Sequence, residues 1–172
     1  MSKDLLKEGW VERETDSLKT RKFFEDGLLK LEEVYAKNGR LMSKKFFFPK
    51  LDNVVCLVED YDIDGQLDVR GRVNKNKEWE GLFEIYHQGQ IHSKLNFKGG
   101  KLHGKSMQFF NNGQLSSIEN YKEGKLHGIS DLFYGEDGAR IRKFYKNGKL
   151  KVTYSFFYSS NKKGVLVKKN EK

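Results

Sequence analysis

The chain spells nearly the same eleven residues twice, "NFKGGKLHGKS" at 96–106 and "NYKEGKLHGIS" at 120–130, with eight positions identical. The offset of 24 residues also separates glycines 65, 89 and 113, and in a second series glycines 100, 124 and 148. The two series interleave, so a turn signal falls about every 12 residues from Gly27 to Gly148. "EDG" occurs at 25–27 and 136–138, "KNG" at 37–39 and 146–148, "HQG" at 87–89 and "NNG" at 111–113. Where the glycine is missing, "LDN" at 51–53 and "NKNK" at 74–77 keep the beat.

An Asn-Gly or Asp-Gly pair suits the two-residue type I′ hairpin turn, which needs positive φ at both central residues. The stretches between these pairs are rich in Phe, Tyr, Val, Ile and Leu, as strands are. No helical periodicity is sustained anywhere; "LLKEGWVERETDSLKTRKFF" near the start fits either a short helix or an irregular hairpin. Turns at a fixed interval with no crossover segment imply that each strand pairs with the next one. The expected fold is therefore all-β, an elongated and twisted single-layer antiparallel meander of ~24-residue two-strand repeats. The expected organisation is an N-terminal segment 1–20, degenerate repeats 21–60, a regular repeat array 61–160 and a basic C-terminal strand or tail 161–172.

Composition agrees with a thin structure. The 172 residues are 37% apolar, below an ordinary globular chain, yet include 13 Phe, 8 Tyr and 2 Trp. A single cysteine, Cys56, excludes an intramolecular disulfide and a cysteine-rich zinc site. No apolar run is long enough to cross a membrane as a helix. The opening "MSKDLLKEGW" has no apolar signal core, so the chain as it stands is expected in the cytoplasm, with an exported form whose signal peptide has been removed as the alternative. Its net charge of +9 is uneven, with 15 basic and 6 acidic residues after position 100.

The run "YKEGKLHG…FYGEDGARIRKFYKNGKL" resembles the MORN-repeat family, and more closely its bacterial variant form. Residues 97–154 fit that pattern well, 61–96 passably and 23–60 through turn spacing alone. The resemblance implies a single-layer antiparallel sheet with no enzymatic activity of its own. It also implies an antitoxin-like or immunity-like role, since bacterial variant members often carry those labels.

Candidate chemistry is sparse. "DYDIDG" at 60–65 opens like a calcium loop, with Asp60, Asp62 and Asp64 as oxygen ligands and Asp68 at the ninth position. The bidentate Glu that such a loop needs at its twelfth position is replaced by Gly71, so an acidic turn is expected instead. His103 and His127 occupy equivalent repeat positions two strands apart, too far for one zinc ion, and His87 with His92 alone make a weak site. No nucleophile motif or phosphate loop is present, and neither a cofactor nor a metal is expected.

The basic segment 138–154 is the candidate binding site. Pairing outward from Asn147-Gly148 sets Phe144 opposite Lys151 and Arg142 opposite Thr153. It gathers Arg140, Arg142, Lys146, Lys149 and Lys151 on one face around Phe144. The same reasoning around Glu123-Gly124 sets Glu119 opposite Gly128, leaving room for an aromatic ring on that glycine. The expected function is a non-enzymatic protein-binding module, most concretely the antitoxin or immunity partner of a bacterial toxin. The competing expectation is peripheral association with anionic lipid through the basic C-terminal third. Nucleic acid is the weaker partner class, because no groove-reading helix is present.

Overall fold

A computed structural model describes residues 8–48, 54–134, 139–159 and 162–171, with the backbone alone given after residue 156. The chain divides into two compact units, Met1–Gly89 and Gln90–Lys172. Every regular element among the described residues is a β-strand.

The first unit pairs its strands antiparallel in chain order: β1 Gly9–Glu14, β2 Leu18–Glu25, β3 Leu28–Ala36, β4 Leu41–Phe47, β5 Val54–Tyr61, β6 Leu67–Asn74 and β7 Trp79–His87. The ambiguous N-terminal stretch forms a hairpin from Gly9 onward. Thr15 closes it, its amide donating to the Leu18 carbonyl at 2.9 Å while its Oγ1 accepts from the Leu18 amide at 3.1 Å.

The second unit contains β8 Gln90–Lys98, β9 Lys101–Leu102, β10 Gly104–Phe109, β11 Leu115–Lys122, β12 Lys125–Leu126, β13 Gly128–Tyr134, β14 Ala139–Lys146, β15 Lys149–Ser159 and β16 Lys162–Glu171. It is again an antiparallel meander, with the two-residue strands β9 and β12 continuing into β10 and β13 after one interrupting histidine. The expected all-β meander is thus the architecture of each unit.

The turns fall into two classes where the sequence predicts one. Asp26-Gly27, Gln88-Gly89, Glu123-Gly124 and Asn147-Gly148 have positive φ at both residues, as type I′ requires. At Gly39, Gly65 and Gly113 the residue before the glycine is not left-handed, and the loop has three residues. There the Asn or Asp side chain supports the turn. Asn38 Oδ1 accepts from the Arg40 amide at 3.1 Å and Asn112 Oδ1 from the Gln114 amide at 3.0 Å. "KNG" forms a three-residue loop at 37–39 and a two-residue turn at 146–148. The tripeptide permits both, and the strands on either side select one by their register.

Little is fully buried. Among the described residues only Cys56 and Val58 are buried apolar side chains, each 7% exposed. Rings lie directly on Gly71, where a Cβ would collide with Phe83 Cδ2 and lie 2.9 Å from Trp79 Cζ3. Phe83 and Trp79 themselves meet edge to face, with centroids 4.5 Å apart.

Candidate functional site

In the second unit the duplicated string is a device for stacking hairpins. The Gly124 amide donates to the Leu102 carbonyl at 2.8 Å, and the Gly148 amide to the Leu126 carbonyl at 2.7 Å. His103 Nδ1 lies 3.4 Å from Glu123 Oε1, and His127 Nδ1 lies 3.1 Å from Asn147 Oδ1. The Asn96 and Asn120 side-chain amides donate to the Lys105 and Ile129 carbonyls. Each repeat therefore grips the turn of the next one, which gives the two histidines structural partners.

One predicted pairing shifts by register. Between β11 and β13 Ile118 lies opposite Asp131 and Ser117 opposite Leu132, a register that does not set Glu119 against Gly128. On its other side Gly128 lies opposite Tyr145, just as Gly104 lies opposite Tyr121. Between the Tyr121–Leu126 and Ile118–Asp131 pairs the returning strand has two residues more than β11, and this interruption around His127 displaces it relative to the simple hairpin count. Both glycines have left-handed φ, +86° at Gly104 and +89° at Gly128, and nothing lies within 4 Å of a Cβ on Gly104. Backbone conformation explains them, and the ring resting on a glycine is at Gly71 instead.

The basic segment is corrected in the same way. Lys146 faces Lys149 and Tyr145 faces Leu150, but a bulge then sets Phe144 opposite Val152 and Arg142 opposite Tyr154. Lys151 is exposed at this bulge, out of step with Phe144. Val152 and Tyr154 consequently join the arginine face, where the Phe144 and Tyr154 rings meet edge to face at 5.7 Å. Arg142 is tied to buried Asp131 by two hydrogen bonds of 2.8 Å, from Nε and Nη2. That carboxylate raises the already high guanidinium pKa further. Arg140 lies over the Phe156 ring at 4.8 Å. Of the six predicted residues, Lys146, Lys149 and Lys151 are exposed, while Arg140, Arg142 and Phe144 are built into the sheet.

The acidic turn is likewise occupied by its own backbone. Asp62 Oδ1 accepts from the Asp64 amide at 2.9 Å and the Gln66 amide at 2.8 Å. No group of three or more His, Cys, Asp or Glu residues able to hold a metal is found among the described residues. Buried Cys56 has its thiol pKa raised by desolvation.

The first unit carries a feature the sequence reading missed. The register aligns Glu12, Arg21, Glu33, Lys44, Glu59, Arg70 and Glu84 in one row across seven strands, alternating in sign. Arg21 reaches Glu12 at 2.9 Å, Lys44 reaches Glu33 at 3.3 Å and Arg70 reaches Glu59 at 2.8 Å. Tyrosines two residues on complete it: Tyr35 donates to Glu33 at 2.8 Å, Tyr61 to Glu59 at 2.8 Å and Tyr86 to Glu84 at 3.1 Å. Desolvation first, then the Glu59 hydrogen bond, pushes the Tyr61 phenol up to about 12. On the opposite face, burial favours a higher Glu32 pKa, but hydrogen bonds from Lys22 and Lys45 outweigh it and hold the carboxyl below its ordinary range. The signal was legible as Glu-x-Tyr at 33–35, 59–61, 84–86 and 119–121.

Charge is partitioned between the units. Residues 1–89 hold 16 basic and 18 acidic side chains, whereas 90–172 hold 17 and 6. No protein-family model matches the chain, and no curated protein matches it.

Proposed function

We propose that the chain is a non-enzymatic repeat module that binds a protein partner, in the manner of an antitoxin or immunity protein. The observation carrying this reading is that the sheets leave their apolar side chains half covered. Trp10, Leu82, Phe110 and Ile129 are each about 40% exposed, although strands of this kind could have been covered by a second layer. Covering such surface yields about 25 cal/mol per Å², and a partner is the economical source of that cover. The MORN-variant resemblance supports the same class of function. No helix among the described residues is long and apolar enough to cross a membrane.

The test is isolation from the native host together with the product of the adjacent gene. A stable complex that relieves growth arrest caused by that product is expected. Leu82→Glu and Ile129→Glu, both at exposed positions, should weaken it without lowering Tm. Recovery of the chain with no stoichiometric protein partner would refute the reading.

A further inference from the structure

We propose that the stacked hairpin tips of the second unit form a lysine ridge that docks an acidic segment of the protein partner. This rests on the protein-binding reading and adds the chemistry of what is bound. Three tips carry it: Lys98-Gly99-Gly100-Lys101, Lys122-Glu123-Gly124-Lys125 and Lys146-Asn147-Gly148-Lys149. In each tip the register sets the two lysines directly opposite one another. All six are exposed, and among the described residues none makes an ion pair.

The ridge is fixed by backbone. The amides of Gly124 and Gly148 bond each tip to the preceding short strand, so lysine pairs recur every two strands, about 10 Å apart. The one acid on the ridge, Glu123, is turned to His103. Like charges directly opposite each other destabilise a sheet, yet the arrangement occurs three times. Lysines that guard against aggregation belong on edge strands, where backbone groups are open; these flank the turns, at strand ends already paired with each other.

Carboxylates fit the ridge better than nucleic-acid phosphates. None of the six is Arg, which would offer a planar fork to phosphate. The neighbouring rings Phe97, Tyr121 and Tyr145 alternate to the other face. The rings on the lysines' own face, Phe144 and Tyr154, meet edge to face, not as a row of parallel planes on which successive bases could stack. On the lysines' own face lie Met107, Ile118 and the exposed Ile129. An apolar patch with a cationic rim is complementary to a polypeptide that sets Asp and Glu beside apolar side chains.

The experiment measures binding of a fluorescent twenty-residue polyglutamate peptide and of a twenty-nucleotide single-stranded DNA to the full chain in low salt. Lys122→Glu/Lys146→Glu should lose tenfold or more in affinity for the peptide, whereas Lys37→Glu/Lys75→Glu in the first unit should lose less than twofold. Lys122→Arg/Lys146→Arg should retain binding. Equal weakening by both reversed pairs would reduce the ridge to diffuse net charge and overturn the proposal. Loss of DNA binding with the peptide unaffected would overturn it in favour of phosphate. If the host yields a partner that the reversed ridge still binds, the ridge proposal fails while the protein-binding reading stands. If it yields no partner, that reading fails and the peptide affinities still decide whether the ridge binds carboxylates.

Discussion

Glu59 and Glu119 begin from the same local motif and end in different surroundings. Each accepts a hydrogen bond from the tyrosine two residues on, at 2.8 Å from Tyr61 and 2.7 Å from Tyr121. Across the strands, Glu59 lies between Lys44 and Arg70, whereas Glu119 faces the small buried Ser106. The first unit commits its cations to the interior of its sheet; the second gathers six at its turns. A strand motif therefore does not fix what a charge does, because the cross-strand neighbour decides whether it is consumed or left available.

The largest expected effect tests where the first unit is tightly packed. Gly71→Val should destabilise the protein by about 3 kcal/mol in denaturant unfolding, because the added carbons meet Phe83 and Trp79. An unchanged midpoint would mean that the rings do not rest there. Next, Glu59→Ala should cost about 2 kcal/mol, since it strips a charged partner from Arg70 and Tyr61 together. Glu119→Ala should cost about 1 kcal/mol, only the Tyr121 hydrogen bond being lost. Equal losses at the two sites would erase the distinction between the units.

Gly124→Val probes the stacked tips. Its φ of +76° is strained for a β-branched residue, and about 1.5 kcal/mol of destabilisation is expected from the melting curve. A further test comes from alkali. Tyr61 ionises near 12 when folded and near its ordinary value of about 10 when unfolded, so the unfolded state loses protons first. The stabilisation is complete below pH ~10 and is lost as pH rises towards 12. Tm should fall across that window, and Tyr61→Phe should flatten the fall; an identical slope in the variant would contradict the assignment. The smallest effect is at the ridge, where Lys122→Glu/Lys146→Glu should shift stability by less than about 0.5 kcal/mol.

The meander was readable because Xaa-Gly pairs at fixed spacing constrain the backbone locally, and local constraints survive in one dimension. Register was only partly readable. Pairs adjacent to a turn, such as Tyr121 with Leu126, follow from counting. Pairs beyond a bulge, such as Phe144 with Val152, do not, because one extra residue exchanges the faces of everything after it. The basic segment was therefore found, but its arginines were read as part of a binding face, whereas Asp131 holds Arg142 from the neighbouring strand. The ridge went unseen for a related reason. Its lysines lie 24 residues apart in the chain and meet only when consecutive tips stack.

Lysine acetylation under limiting reagent, read by mass spectrometry, tests most directly whether cations are committed in one unit and available in the other. The tip lysines Lys98, Lys101, Lys122, Lys125, Lys146 and Lys149 should react several-fold faster than Lys22, Lys44 and Lys45, which are held by Glu32 and Glu33. Added polyglutamate should slow the tip lysines alone. Uniform rates across both sets, or protection spread evenly over them, would contradict the division.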